Sequence, residues 1–512
     1  MLVKTYSSSL QGINARKISI EVNISQGIRF IIVGLVDHGI RESQLRIESA
    51  LTNSGFDWPR YRMVINLAPA DIRKIGTHYD LPLSIGILAA SGQVNSDKLD
   101  DYMLFGEVSL DGGLLPVKGI LPMTINARDE GFVGVLVPRK NAGEAAVVEG
   151  MKVIPVDSIK EVVAFLNGTR IGSQIFDKVR SHLHKKSMSH EHDFSEVKGQ
   201  DAVKRALLIA AAGFHNILMV GPPGSGKTML ARCLPSILPP MSLEESIQTT
   251  KIHSVAGKIS SDNHLITRRP FRSPHHSISN LGLIGGGANP RPGEISLAHN
   301  GILFLDELPE FKRHVLEVLR QPIEERTINV SRANYTVVYP ANFMLVASMN
   351  PCPCGYYNHP QKECSCGPGI RKGYLSRISG PLLDRIDIHM EVVPVSFSSM
   401  IRSGEKITSG EMGRSVGLAR KMQEVRFSGI ENLYSNAQME APHVRMYCQL
   451  DAAGQSILKM AMERLGLSAR AFHRILKVAR TIADLSACDL IQAAHIAEAA
   501  NYQNLDRDNW SG

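Results

Sequence analysis

Gly221-Pro-Pro-Gly-Ser-Gly-Lys-Thr228 lies between a short apolar run, Asn216–Val220, and a helix-forming run that begins at Met229. A glycine-rich turn between strand and helix lets backbone amides curl towards phosphate, and the helix N-terminus adds positive potential. In that setting Gly221, Pro222, Pro223, Gly224, Ser225 and Gly226 form a cradle for ATP. Lys227 reaches its β- and γ-phosphates, and Thr228 ligates the accompanying Mg²⁺. A second apolar run, Gly301-Ile-Leu-Phe-Leu305, ends in Asp306 and Glu307. At the carboxyl end of a buried parallel strand, Asp306 is placed for the Mg²⁺ shell and Glu307 as the base that activates water. A third run, Phe343–Ser348, delivers Asn350, whose amide can position that water and sense the γ-phosphate. Arg385, within Pro381-Leu-Leu-Asp-Arg-Ile-Asp387, is a candidate arginine finger for a neighbour's ATP. A local ion pair with Asp384 or Asp387 is the competing role.

Cys352-Pro-Cys354 and Cys364-Ser-Cys366 bring four thiols into one short loop. Four thiolates suit a closed, structural Zn²⁺ site, with free thiols or a redox pair as the alternatives. His359 stands close enough in sequence to replace one thiolate.

These residues must be held by several domains. At 512 residues the chain has room for about three of about 150 residues each. Residues 1–168 alternate β-rich runs (Ile28–Val33, Met63–Leu67) with helical spacing (Ile40–Ser54, Leu83–Ser91), the pattern of a separate α+β domain. A polar linker, 169–193, carries His182, His184, His190 and His192 and reads as solvated rather than metal-binding. An α/β nucleotide-binding core follows over 194–395, then an irregular connector, 396–437, and a helical lid, 438–512. The net charge of +8 leans mildly towards polyanions. No run approaches the roughly 20 apolar residues that span a bilayer, which argues against a membrane protein. The N-terminus lacks a signal pattern and the seven cysteines are odd in number, so a cytoplasmic location is expected.

With the P-loop, Asp-Glu, Asn and Arg in this order, the core resembles the AAA+ ATPases, in their magnesium-chelatase-like branch. Arg269-Pro-Phe-Arg-Ser-Pro-His-His276, Arg291-Pro-Gly-Glu-Ile-Ser-Leu-Ala-His-Asn-Gly301, Asn350-Pro-Cys-Pro-Cys-Gly355 and Ser379-Gly-Pro-Leu-Leu-Asp-Arg385 make the whole chain similar to the YifB/ComM family. The resemblance implies a homo-hexameric ring that uses ATP to drive branch migration of DNA recombination intermediates, including those of natural transformation. It also implies that Leu467-Ser-Ala-Arg-Ala-Phe-His-Arg474 is a sensor-2 segment, with Arg470 on the γ-phosphate in the same chain and Arg474 in reserve.

The 78 positions from Thr228 to Asp306 leave room for an insertion carrying Arg268, Arg269, Arg272, His275 and His276. A basic loop of that kind can track a phosphate backbone. Thr327–Tyr339 reads as two short strands and resembles a pre-sensor hairpin, with Arg332 as the best DNA contact; both excursions could instead pack on neighbouring subunits. Residues 1–168 resemble a Lon-protease-like domain of ribosomal-S5-domain-2 type, through Ala68–Arg73, Tyr79–Pro82, Gly106–Pro116 and Val137–Lys140. The positions of a Ser–Lys dyad fall on Asp80 and Leu121, which cannot supply that chemistry, while Ser84 and Lys118 stand nearby but out of register. The expected fold class is therefore α/β and α+β multidomain, and ATP-driven DNA motion is the leading expectation. A chelatase-type subunit that drives metal insertion through a protein partner comes second, and an ATP-dependent protease third.

Overall fold

The computed structural model describes residues 2–169, 191–260, 264–287, 290–332, 335–359, 361–394, 407–465 and 468–503. The histidines expected in the linker therefore lie outside the described residues, except His192.

The N-terminal part is a seven-stranded mixed sheet with the order β3-β4-β2-β1-β5-β8-β9. Its strands are β1 (Leu2–Gln11), β2 (Asn14–Ser25), β3 (Arg29–Val33), β4 (Arg62–Ala68), β5 (Tyr102–Leu104), β8 (Gly134–Pro138) and β9 (Lys152–Val156); β6 (Glu107–Val108) and β7 (Leu114–Leu115) pair separately. Alternation explains β2: Ile18, Ile20 and Val22 are buried while their neighbours turn outward. Every residue of the helix Asp80–Ala90 is buried. A Cβ on its Gly86 would come within 2.8 Å of Val22, so the missing side chain lets the helix lie close on the sheet. At the head of this helix Asp80 is gripped by Arg46 through two 3.0 Å bonds.

The core contains one five-stranded parallel sheet, β11-β14-β17-β10-β18. Its strands are β10 (Ile217–Val220), β11 (Phe271–Arg272), β14 (Ile302–Leu305), β17 (Met344–Met349) and β18 (Ile388–Glu391). β10, β14 and β17 are buried along their whole length, as expected of strands covered on both faces. Two small ribbons accompany it: β12 (Gly285–Gly286) with β13 (Arg291–Pro292), and β15 (Thr327–Arg332) with β16 (Tyr335–Pro340). The second is the expected hairpin; Ala333 and Asn334 lie outside the described residues.

The lid comprises the helices Ala441–Tyr447, Ala452–Leu465, Ala469–Leu485 and Ala493–Asn501. One expectation needs correcting. The 396–437 connector is not irregular throughout, because Ser409–Arg426 is an 18-residue helix. Its apolar residues are sparse, and polar residues complete the buried face. Gln423 donates to the Ala212 carbonyl at 3.0 Å and accepts from the Asn436 amide. A capping box of Thr408 and Glu411 starts the helix.

The N-terminal part and the core touch through buried polar groups. The Glu144 carboxylate accepts from the Leu121 amide at 3.0 Å and from the Ser254 hydroxyl of the core helix Leu243–Ala256. The Gly119 amide donates to the Ser254 carbonyl at 3.2 Å. At the β1–β2 turn, a Cβ on Gly12 would meet Val337 of β16 at 2.9 Å.

Burial lowers His78, His299 and His389 from 6.5 to about 4. Between those values the unfolded chain binds protons that the native histidines refuse, so native stability is lost as pH falls from 6.5 towards 4. Asp80, raised by burial to about 6, takes up its proton in the native state first and opposes this in the same window. A net loss of stability is expected by pH 4.5, because three histidines oppose one carboxyl. Urea midpoints at pH 7.5, 6.0 and 4.5 check it; a midpoint that stays level contradicts the assignment.

Candidate active site

The chemistry gathers at the carboxyl ends of the parallel strands, where such sheets bind ligands. The segment 221–226 leaves β10 and leads into the helix Lys227–Cys233. Gly224 and Gly226 have φ of 78° and 87°, so this turn needs glycine at both places. The Lys227 ammonium donates to the carbonyls of Gly221 (2.7 Å) and Pro222 (2.9 Å) and to Asn350 Oδ1 (3.3 Å). Burial lowers its pKa, with the carboxylates of Asp306 and Glu307 opposing.

Thr228 Oγ1 donates to Asp306 Oδ2 at 2.8 Å, and Ser348 donates to the other carboxylate oxygen. A hydroxyl and a carboxylate meeting at the start of a helix is a donor set that fits Mg²⁺ on a bound triphosphate. There the ion would supply charge neutralisation on the phosphate oxygens. Glu307 follows in a left-handed turn, φ 54°, and is 57% exposed, so its carboxylate is free for water. The structure thus brings Lys227, Thr228, Asp306, Glu307 and Asn350 together.

It does not treat the basic insertion as expected. Arg269 is 7% exposed, binds both oxygens of Glu245 (3.1 and 3.0 Å) and donates to the carbonyls of Pro239 and Asn300. Arg272 is held by both oxygens of Glu294 at 2.6 and 2.8 Å and belongs to the edge strand β11. Both guanidinium groups are paired with carboxylates inside the chain, and Arg269 is nearly buried. His275 is exposed, but His276 turns to the site, with Nδ1 3.6 Å from Glu307 Oε2. Its ring rests edge-on against Phe311 and tilted over His275. Arg332 ends the hairpin strand β15.

Arg385 pairs with neither Asp384 nor Asp387. Its guanidinium meets Glu324 at 2.8 Å, and Asp387 faces His215 instead. Arg385 lines a cleft of about 600 Å³ together with Arg470, His473, Arg474 and Lys477. Arg474 is buried and donates to the Ile386 carbonyl at 2.8 Å, whereas Arg470 is exposed. That arrangement leaves Arg470 the exposed cation of the two, and it sets Arg470 beside Arg385 rather than among the residues lining the cavity next to its own P-loop.

The P-loop cavity, about 520 Å³, is lined by Gly221, Pro222, Tyr357, Val392, Asn501 and Tyr502, among others. Nearby, Gln200 donates to the Ser225 carbonyl at 2.7 Å and ties the start of the core to the P-loop. Sequence reasoning missed Gln200, Tyr357, Asn501 and Tyr502, because no motif marks residues that meet only after folding.

At the dyad positions of the N-terminal part, Asp80 is locked to Arg46 and Leu121 is fully buried. The Ser84 hydroxyl is spent on the Asp80 carbonyl at 2.7 Å. The four thiols do assemble, with all four sulfurs within 4.8 Å of one another. His359 is not among them: its Nδ1 accepts the amides of Gln361 and Lys362, both at 3.1 Å.

Comparison with known proteins finds relatives along nearly the whole chain. Residues 193–400 match the magnesium chelatase subunit ChlI family, 20–141 match subunit ChlI of Mg-chelatase, and 406–503 match the ChlI C-terminal family. The uncharacterized protein YifB of Escherichia coli is 42% identical over 502 residues, covering 97% of this chain and 96% of that protein. Competence protein ComM of Haemophilus influenzae is 42% identical over 508 residues, covering 99% and 98%. The chain belongs to the YifB/ComM family. Membership places it among the magnesium-chelatase-like AAA+ proteins, a family that implies ATP and Mg²⁺. A more distant relative is the magnesium-chelatase 38 kDa subunit of Rhodobacter capsulatus, 26% identical over 174 residues, 31% of this chain and 50% of that one. No described helix is long and apolar enough to cross a membrane.

His276, with Nδ1 3.6 Å from Glu307 Oε2, is placed to steer that carboxylate. Removing it in His276→Ala is expected to lower kcat for ATP hydrolysis about 10-fold or more with KM little changed, because a displaced base loses geometry and not nucleotide contacts. Steady-state kinetics check it, and a variant that instead lost DNA affinity at normal kcat would return His276 to the DNA-binding role.

Proposed function

We propose that the chain is one subunit of a homo-hexameric, ATP-hydrolysing ring that moves branched DNA recombination intermediates. The observation that carries the reading is the cleft shared by Arg385 and Arg470. Its cations have catalytic use only when a neighbouring subunit presents ATP to them, and a ring supplies such a neighbour at every interface. Competence protein ComM, similar over nearly the full length, supports a role in DNA uptake or recombination. Arg332, at the end of β15, is then the DNA contact, reaching a phosphate backbone from the hairpin.

ATPase rate with and without branched or single-stranded DNA, across a salt series, tests this. Stimulation by DNA that fades with salt is expected. A rate indifferent to DNA, with no salt-sensitive binding, would sink the motor. It would leave a chelatase-type subunit that works through a protein partner, a reading kept open by the likeness to the magnesium-chelatase 38 kDa subunit. Proteolysis is not proposed, since Asp80 and Leu121 offer neither nucleophile nor base.

A further inference from the structure

The segment 351–367, between β17 and the helix Pro368–Leu375, has no helix or strand among its described residues. Only Cys352 and Gly355 are buried among them, so no apolar core holds the loop in shape. The four cysteines do meet: Cys352 Sγ lies 3.3 Å from Cys354 Sγ and 3.6 Å from Cys364 Sγ, and Cys354 and Cys364 are 3.6 Å apart. A tetrahedral site with Zn–S of about 2.3 Å sets its sulfurs about 3.8 Å from one another. None of the cysteines is in a disulfide, and the space between the sulfurs is that of a single ion, not an iron–sulfur cluster.

The same loop rests on the nucleotide site at two points. Gly355, φ 83°, is so close to the P-loop that a Cβ would meet Pro223 Cδ at 2.5 Å. Cys352 follows two positions after Asn350, whose side chain receives the Lys227 ammonium. Arg371 lies 4.0 Å over the Tyr357 ring, which tightens the loop around the same place.

We propose that Cys352, Cys354, Cys364 and Cys366 bind one Zn²⁺ as four thiolates, and that the metal-held loop fixes Pro223 and Asn350, making nucleotide affinity zinc-dependent. The second half rests on the ATP reading above. Each thiol gives its proton to solvent on binding, and four thiolates leave no open position, so the ion is structural and carries no reaction.

The test measures zinc by elemental analysis and ATP affinity by fluorescent-nucleotide titration, on the full chain and on Cys364→Ser/Cys366→Ser. One zinc per wild-type chain, none in the variant, and an ATP Kd raised about 10-fold are expected. To separate metal loss from misfolding of the variant, wild-type protein is also stripped with a chelator and a thiol reagent. Zn²⁺ added back after thiol reduction, and not Mg²⁺ alone, is expected to restore affinity. Wild-type protein without zinc, after expression in zinc-supplied cells, overturns the site. Loss of zinc with Kd unchanged overturns the link to the P-loop. Zinc present with no ATP bound overturns the ATP reading and leaves the metal site standing.

Discussion

Glu307→Gln is expected to lower ATP turnover by at least about 100-fold while ATP still binds, the usual scale for losing a general base. The substitution keeps the shape of the side chain and removes only its basicity. Lys227, Thr228 and Asp306 hold their contacts without it, and the 57% exposure of Glu307 means that little packing depends on it. Loss of hydrolysis should therefore come without loss of affinity. A coupled-enzyme assay for kcat and a nucleotide titration for Kd measure the two separately. Turnover within about threefold of wild type would remove Glu307 from the base role, since a base contributes far more than that.

The second large effect is expected at Arg385. An arginine finger is worth about 10³-fold or more in turnover, so Arg385→Ala should bring the assembled protein near its unassisted rate. The same change breaks the pair with Glu324, but Glu324 is half exposed and that pair is worth no more than about 1 kcal/mol, so folding survives. The decisive experiment mixes Arg385→Ala with Lys227→Ala. One chain has an intact P-loop and no finger, whereas the other has a finger and a crippled P-loop. If the finger acts across an interface, mixed rings regain activity that neither variant has alone. If Arg385 serves its own P-loop, mixing restores nothing.

What the sequence made legible follows from how local each signal is. The P-loop, Asp306 and Asn350 each follow an apolar strand directly, so a short window contains both the residue and the element that aims it. The hairpin around Ser331–Asn334 was legible for the same reason. Arg269 and Arg272 were not. Their positive charges read as a DNA-binding loop, but their acidic partners, Glu245 and Glu294, lie 24 and 22 positions away and only the fold brings them together. Arg470 was hard to place for another reason. Helical spacing puts it on one face with Arg474, yet which cleft that face meets depends on how the lid sits on the core. The helix Ser409–Arg426 stayed hidden because buried Gln423 stands where an apolar residue would have marked the pattern. The hairpin of β1 and β2 lies outside the runs that the alternation picked out, and it forms the centre of the N-terminal sheet.

The joint between the N-terminal sheet and the ATPase core has a further consequence. Glu144 is buried against Ser254, and burial raises its pKa; the Gly12 turn rests on Val337. Separated, the first fragment would turn a carboxylate seat towards water and the second would lose the hydroxyl's acceptor. Neither half is then a natural stopping point for the chain. Cutting the stretch between Gly168 and His192 should leave two polypeptides that still elute together, like a brooch whose pin has been clipped but whose clasp is shut.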